Sequence, residues 1–274
     1  MKITAIVENT SGKRGIKTKH GLSLLVEGER FGQILFDTGP DSRLLFSNAE
    51  KLGLDLRQIE TVVLSHGHID HGGALHDFLK QNKQATVFLR REALAEHITK
   101  MAGISIPVSV LLTERDVPRL IFTQKVHKLA PDAFLLSEIE PVTDRTANRA
   151  LYQRIQNDFV SDSFVHEQSL LICRQDKVVL IAGCAHCGIE NIIEAAQQLI
   201  GREIDVVVSG FHLYNPVTHR GEKREVIELF GQRLSQFSCR YVTFHCTGKR
   251  AYNLLKRQLG DRISYLAAGQ SIII

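Results

Sequence analysis

The sequence has no apolar stretch of the roughly 20 residues that a membrane-spanning helix needs, so no membrane partner is expected. Its first residues, Met1 to Glu8, turn polar too soon for a secretory signal peptide. The five cysteines are an odd number without the spacing of a small disulfide-stabilised domain. Together these absences predict a protein of the reducing cytoplasm.

The sequence also lacks a strong charge of either sign. Lysine and arginine (34) outnumber aspartate and glutamate (30) by only 4, and these charges are scattered, so nucleic acid is not an expected partner. There is no internal repeat and no low-complexity tract. A chain of 274 residues that is 43% hydrophobic can form one large α/β domain. We therefore predict a single domain over residues 1–274 that acts on a small molecule, with the oligomeric state left open.

The most informative stretch is SHGHIDHGG, residues 65–73, which follows an apolar, β-branched run typical of a buried strand. Loops that follow such strands are where functional sites are usually built. His66 and His68 are two positions apart and can reach one centre, whereas Asp70 and His71 can reach a second centre nearby. Imidazole with carboxylate suits zinc, manganese or iron better than calcium or magnesium. The stretch predicts one or two divalent metal ions, with zinc as the first candidate and manganese or iron as alternatives.

The order of the predicted elements indicates a layered fold. Strands come first, strand–helix units follow, and the pattern partly repeats in the last third of the chain. This order predicts an α/β fold in which two sheets pack face to face with helices outside, an αββα four-layer sandwich. Residues 91–163 have mixed periodicity and predict an inserted cap over the site. Within this cap we expect a helix over residues 91–101 and a loop or short helix over residues 148–159.

Several predicted strands end in polar residues that could meet at one edge of the sandwich. Three late histidines, each after a buried strand, are hard to explain by packing alone, so we expect them to lie near the 65–73 loop. The polar residues at these strand ends are Asp37, His66, His186, His212 and His245.

These motifs resemble the metallo-β-lactamase superfamily, to whose signature the HGHIDH run at 66–71 is similar. The runs GCAHCGIEN (183–191), GFHL (210–213) and HCTG (245–248) resemble the branch typified by the dihydropterin–ribofuranosylaminobenzene phosphate synthases of methanopterin biosynthesis. The resemblance implies an αββα fold and a site for one or two metals.

The resemblance also implies roles for individual residues. Asp37 would stand behind the metal ligands and hydrogen-bond an imidazole or its loop. The first metal would be held by His66, His68 and His186, and the second by Asp70, His71 and His245.

Two departures from the superfamily pattern leave alternatives open. Cys184 occupies the position of the bridging aspartate of most superfamily hydrolases, so either it is a soft ligand or the bridge is missing. His166 and Glu167 lie one strand earlier, where the superfamily order places a metal-binding histidine. Either residue could share the role assigned to His186, which we favour.

The residues after His245 indicate an anion-binding site. Free backbone amides at the start of a predicted helix, with two cations beside them, favour phosphate. The substrate is therefore expected to be anionic, and the residues of this site are Thr247, Gly248, Lys249 and Arg250.

Three functions fit the sequence. The first is metal-dependent hydrolysis of an ester or phosphoester, in which Asp70 carries a proton and His212 protonates the leaving group. The second follows from the resemblance: a transferase that condenses a dihydropterin pyrophosphate with an aminobenzene ribofuranosyl phosphate as pyrophosphate leaves. The third is a non-catalytic metal-binding or sensing protein.

Overall fold

Two seven-stranded sheets form the body of the protein in a computed structural model that describes residues 1–101, 103–141, 146–216 and 220–274. In chain order the strands are β1 (Lys2–Val7), β2 (Ser23–Gly28), β3 (Gly32–Phe36), β4 (Thr61–Val63), β5 (Thr86–Leu89), β6 (His97–Met101), β7 (Ile104–Pro107), β8 (Leu120–Phe122), β9 (Val126–Ala130), β10 (Ala133–Ser137), β11 (Leu151–Ile155), β12 (Asp158–Ser161), β13 (Gln168–Cys173), β14 (Val178–Ile181), β15 (Val206–Ser209), β16 (Tyr214–Asn215), β17 (Arg220–Gly221), β18 (Arg240–Thr243), β19 (Ile263–Tyr265) and β20 (Ser271–Ile273). The helices are α1 (Ser42–Leu52), α2 (Ile69–Gly72), α3 (Leu75–Gln81), α4 (Ile189–Ile200), α5 (Arg224–Ser235) and α6 (Lys249–Leu259).

The two sheets have related topologies. The first has the strand order β20-β1-β2-β3-β4-β5-β8, and the second β19-β18-β15-β14-β13-β10-β9. Strands β3, β4, β5 and β8 run parallel, as do β14, β15, β18 and β19. The carboxyl ends of neighbouring parallel strands lie at one edge of a sheet, where ligand sites are usually found in open α/β folds.

Three apolar clusters separate four layers. One joins the facing sheets and includes Leu24 and Phe36 from the first sheet and Leu170 and Val208 from the second. Another packs α1 and α3 on the outer side of the first sheet. The last packs α4, α5 and α6 on the outer side of the second. This arrangement confirms the predicted αββα sandwich.

Local sequence signals explain why the outer helices form where they do. Helix α1 begins after Asp41, whose side chain accepts a hydrogen bond from Leu44 N, and ends at Gly53, which has a φ of 72°. Helix α4 places Ile189, Ile192 and other apolar residues at helical spacing against the core. In the described part of the chain, no helix is long and apolar enough to cross a membrane.

The region predicted as an inserted cap differs from the expectation in two ways. Its ends, β6, β7, β11 and β12, form a separate four-stranded sheet, but β8 joins the first main sheet and β9 and β10 join the second. The predicted helix over residues 91–101 is wrong: a short 3₁₀ turn, Arg91–Leu94, leads into β6. Of residues 148–159, the first three end a short 3₁₀ helix, Thr146–Ala150, and the rest contribute β11 and the first half of β12 rather than a loop. Pairing with neighbouring strands overrides weak local preferences in these segments.

Candidate metal centre

The polar strand ends meet at one edge of the sandwich, between the two main sheets. The loop after β4 carries His66, and the loops after β14, β15 and β18 carry His186, His212 and His245. His212 and His245 have left-handed backbone conformations, with φ of 45° and 49°. Such conformations cost energy in residues other than glycine and are concentrated at functional sites.

One pair of imidazoles at this edge is His66 and His186, whose Nε2 atoms are 3.4 Å apart. Cys184 joins them in a group whose donor atoms all lie within 4.8 Å of one another. Burial, reinforced by the surrounding imidazoles, lowers the pKa of both histidines well below the ordinary value. Both rings are therefore neutral at physiological pH, as metal ligands must be.

A second pair is His71 and His245, whose Nε2 atoms are 3.2 Å apart. Cys184 Sγ lies 3.2 Å from His71 Nε2, so the thiol stands between the two imidazole pairs. The Asp70 carboxylate is 3.2 Å from His245 Nε2 and 3.1 Å from the Nε2 of a further histidine, His20.

Each of these four rings has an oxygen acceptor at its Nδ1. Asp37 lies 2.6 Å from His71 Nδ1, Ser65 Oγ lies 2.8 Å from His66 Nδ1, and Asn9 and Asn148 lie 2.9 and 3.1 Å from the Nδ1 atoms of the other two. A neutral imidazole that donates from Nδ1 carries its lone pair on Nε2. When all four rings are neutral, as metal ligands must be, their Nε2 lone pairs face one another in two buried pairs, with Cys184 and Asp70 beside them. This donor set fits one or two transition-metal ions.

Asp37 organises two of these rings. Besides contacting His71, its carboxylate accepts hydrogen bonds from the backbone N and the Oγ of Ser65, both at 2.7 Å. Because the Ser65 hydroxyl donates to Asp37, it accepts from His66. Burial opposes protonation of His71, but the carboxylates of Asp70 and Asp37 outweigh it and raise the pKa of His71 to about 9. The expected hydrogen bond from Asp37 to the ligand loop is present.

His68, expected in the first group, lies between that group and the cap region, and it lines a cavity with His186 and Cys184. Its ring centroid is 4.7 Å from that of His66, but its Nε2 points towards Asp162, at 3.9 Å. The backbone of His68 pairs with Ser109 in the cap region, which turns the side chain towards that region. His68 also belongs to a group with His97, Asp162 and His166.

The alternatives to His186 have other contacts. Glu167 accepts hydrogen bonds from the backbone N of His186 and Cys187, at 2.7 and 2.9 Å, and so shapes the loop that carries His186. His166 Nδ1 accepts from Gly67 N at 3.0 Å, and its Nε2 faces Asp162. The structure thus brings His186, rather than His166 or Glu167, within 4.8 Å of His66 and Cys184.

Glycines allow the strand ends to approach this closely. A Cβ on Gly183 would lie 2.5 Å from Ser65 Oγ, and one on Gly67 would lie 2.5 Å from the carbonyl oxygen of Ala93. Either side chain would displace the loop that holds the histidines.

His212 lies beside the centre with its ring centroid 4.2 Å from that of His186. It is buried, and neither of its ring nitrogens has a hydrogen-bond partner among the described residues. It lines a cavity of about 250 Å³ together with Asp70, His186 and His245. A free imidazole at the wall of a cavity is a suitable proton donor or acceptor.

The predicted anion site lies beside a larger cavity of about 660 Å³, and His245 lines both cavities. Gly248, with a φ of 72°, precedes helix α6, which has no capping side chain among the residues that the structure describes. Lys249 Nζ lies 3.4 Å from the centroid of the Tyr265 ring. Arg250 reaches back to donate to Glu222 O at 3.2 Å. Both cations line the cavity.

Thr247 differs from this group because its side chain is turned inwards. Its hydroxyl lies 2.6 Å from that of Thr243 and accepts a hydrogen bond from Phe211 N at 2.9 Å. Its hydroxyl therefore supports the loop and does not face an anion.

Sequence reasoning missed several contributors: Glu8, Asn9, His20, His97, Asn148 and Asp162. Two of them, Glu8 and Asn9, could have been found as the histidines were, because they are polar residues that directly follow a buried strand, β1. Glu8 Oε1 accepts hydrogen bonds from His245 N and the Tyr265 hydroxyl, both at 2.7 Å. The others lie in segments without regular periodicity, and only tertiary structure brings them to the site.

Comparison with known proteins agrees with this geometry. The family model of the metallo-β-lactamase superfamily matches residues 18–131 of the chain. The chain resembles the crystal structure of Tm1679, a metal-dependent hydrolase of the β-lactamase superfamily, with a TM-score of 0.82 and 27% identity, covering 100% of this chain and 99% of that one.

Two proteins of Methanocaldococcus jannaschii are similar along almost their whole length. One is 7,8-dihydropterin-6-methyl-4-(β-D-ribofuranosyl)-aminobenzene-5'-phosphate synthase, 26% identical over 293 residues that cover 99% of this chain and 96% of the synthase. The other is an uncharacterised protein, 27% identical, with coverage of 93% and 94%. These relationships place the chain among metal-dependent enzymes of the hydrolase or synthase type.

Proposed function

We propose that this protein is a metal-dependent hydrolase of small phosphorylated molecules, with zinc as the first candidate metal. The observation that carries the proposal is the position of His245, which belongs to the imidazole pairs and also lines the cavity with Lys249 and Arg250. A phosphate held by these cations would lie next to the metal ligands. When bound, one or two divalent ions would supply a Lewis acid and an activated water.

The residues of the chain have distinct tasks in this reaction. The metal would be held by His66, His68, His186, Asp70, His71 and His245, with Cys184 as a further ligand. The neighbouring imidazoles of His71, His20 and His245 outweigh burial and hold the pKa of Asp70 well below its usual range. An ionised Asp70 suits a ligand or proton acceptor and cannot donate a proton at neutral pH. Donation to the leaving group therefore falls to His212, whose nitrogens are free of hydrogen bonds to the described residues.

Turnover of model substrates tests this proposal. Metal-loaded protein should hydrolyse an aryl phosphate ester faster than an aryl lactone or thioester, and chelation should abolish the reaction. Inorganic phosphate should inhibit competitively. Absence of phosphoester turnover with zinc, manganese and iron alike would contradict the proposal.

The Lys249→Ala substitution tests the anion site separately. Charge-assisted hydrogen bonds contribute roughly 1.5–3 kcal/mol each, so the inhibition constant of phosphate should rise about tenfold or more. Lys256→Ala is the matched control, because Lys256 lies in the last turn of the same helix and pairs with Asp261. Both variants should retain native metal content. Unchanged phosphate inhibition in Lys249→Ala and in Arg250→Ala would exclude these side chains as the anion site.

A synthase is the second candidate, and two observations favour it. Cys184 replaces the bridging aspartate of most superfamily hydrolases, and the chain is similar to a dihydropterin-linked synthase along its whole length. The cationic cavity could then hold a pyrophosphate leaving group. Offered a dihydropterin methyl pyrophosphate, a synthase would release pyrophosphate only when the aminobenzene ribofuranosyl phosphate is present. A hydrolase would release it without the second substrate.

A further inference from the structure

His20 lies at the metal centre, although the proposed reaction assigns it no task. It lies shortly before β2, and its ring centroid is 4.4 Å from that of His245. Its Nε2 is 3.1 Å from Asp70 Oδ2, and its side chain, which is 29% exposed, lines the cavity of about 250 Å³. The donor atoms of His20, Asp70 and His245 all lie within 4.8 Å of one another. His20 is therefore either a further ligand or a residue that orients Asp70.

The side-chain amide of Asn9 decides between these two roles, because its orientation is fixed by two backbone groups. Asn9 Oδ1 accepts a hydrogen bond from Gly21 N at 3.2 Å, and Asn9 Nδ2 donates to His245 O at 3.1 Å. A backbone N–H can only donate and a carbonyl oxygen can only accept, so the two ends of the amide cannot be exchanged.

This orientation determines where the protons lie on two imidazole rings. Asn9 Oδ1 is 2.9 Å from His245 Nδ1, which must donate, so Nε2 of His245 keeps its lone pair for a metal. Asn9 Nδ2 is 3.2 Å from His20 Nδ1, which must accept. A neutral His20 therefore carries its proton on Nε2, the atom that faces Asp70 Oδ2.

The position of this proton argues against His20 as a ligand. To bind a metal through Nε2, the ring would have to move its proton to Nδ1, against the NH₂ group of Asn9. With the proton on Nε2, His20 donates a hydrogen bond to the Asp70 carboxylate instead. Carboxylates that ligate metals are themselves held by hydrogen bonds of this kind.

Backbone contacts hold His20 in this place. Leu22 N donates to the carbonyl oxygen of Asp70 at 3.1 Å, and a Cβ on Gly21 would lie 2.5 Å from the same oxygen. The segment before β2 is thus held against the loop that carries Asp70. The pairing of His20 with Asp70 therefore follows from the fold and not from one side-chain contact.

We propose that His20 is a positioning residue for Asp70, and that Asn9 fixes the tautomer in which His20 donates to the carboxylate. The inference rests on the metal site of the proposed function. One amide thereby sets the protons of two rings in opposite ways. His245 directs a lone pair towards the metal, whereas His20 directs a proton towards the neighbouring ligand.

Zinc affinity tests the positioning role. His20→Ala should weaken zinc binding at the centre by the roughly 10- to 100-fold that loss of an outer-shell partner costs. His20→Gln places an amide NH₂ where Nε2–H lies, so it should restore most of that affinity. His76→Ala is the matched control, because His76 is 26% exposed and pairs at 2.8 Å with Asp116, which lies outside the metal centre. Native zinc affinity in His20→Ala, or equal weakening in both His20 variants, would overturn the proposal.

The tautomer has a readout that requires no variant to fold. In ¹⁵N NMR of metal-free native protein, at a pH at which His20 is neutral, the proton of His20 should be on Nε2 and that of His245 on Nδ1. Both protons should stay there when zinc is added. A His20 proton on Nδ1 would overturn the proposal, and loss of the Nε2 proton on zinc binding would make His20 a ligand instead. Protein that binds zinc and shows both tautomers but hydrolyses no phosphoester would contradict the proposed function and leave this inference standing.

Discussion

The Asp37→Asn substitution should damage metal binding more than folding. Asp37 is fully buried, and its carboxylate accepts from Ser65 N, Ser65 Oγ and His71 Nδ1 at 2.6–2.7 Å. Asparagine has nearly the same shape and tolerates the left-handed conformation of this position, where φ is 61°. The backbone hydrogen bond of Ser65 can therefore be kept, while the other carboxylate oxygen becomes an amide NH₂.

The new amide group reverses the direction of two hydrogen bonds. Facing a donor, His71 Nδ1 must become an acceptor, which moves the ring proton to Nε2, where a metal would bind. Ser65 Oγ would likewise accept from the introduced amide and donate to His66, with the same result at that ring. Loss of the carboxylate also lowers the pKa of His71 from its value of about 9. We expect zinc affinity to fall by at least the roughly 10- to 100-fold seen for outer-shell changes.

Asp37→Ala provides the contrast. It leaves three buried donors without an acceptor, at roughly 1–3 kcal/mol each, so the free energy of unfolding should fall by at least about 3 kcal/mol. Chelator competition measures zinc affinity, and urea titration of metal-free protein measures stability. Asp55→Asn is the control, since Asp55 is exposed and pairs with Arg57. Native zinc affinity in Asp37→Asn would refute the reasoning about ring protons.

Two further predictions concern the same centre. Asn148→Ala removes the acceptor at His186 Nδ1, so zinc affinity should fall about 10- to 100-fold. Asn191→Ala, which loses hydrogen bonds to Glu140 O and Cys187 O, should bind zinc normally in the same chelator competition. Because the pKa of His71 is about 9, zinc binding near neutral pH must displace one proton from this ring. Calorimetry in buffers of different ionisation enthalpy should show that the number of protons released falls by one as pH rises above the pKa of about 9. An unchanged number of released protons on both sides of this pKa would contradict a role for His71 as ligand.

The sequence predicts those parts of the site that depend on local pattern. The HGHIDH run follows a buried strand, and His186, His212 and His245 follow strands of the second sheet, so parallel topology alone brings them to one edge. The outer helices are also predictable, because α1 has a capping aspartate and a terminal glycine and α4 has an apolar stripe.

The contributions of the cap are not predictable in this way. His97 begins a strand whose sequence, HITKM, has little alternation, and only pairing with β7 and β11 makes it a strand. Asp162 lies in a loop whose position depends on that pairing. The orientation of His68 depends in turn on Asp162 and on the bridge to Ser109. A ligand motif therefore specifies which side chains are available, whereas the surrounding strands determine where each of them points.

Cys184 shows how one substitution changes the chemistry of a shared geometry. Burial raises the pKa of its thiol well above the ordinary value, so the metal-free protein carries a neutral thiol between the two imidazole pairs. A carboxylate at this position would be charged before any metal arrived, whereas the thiol ionises only when a metal binds it. If Cys184 is a ligand as proposed, its ionisation would be coupled to occupancy of the centre, and its soft sulfur would favour zinc or iron over magnesium. Under the proposed function, cysteine in place of aspartate would make the negative charge at this position conditional on the presence of metal.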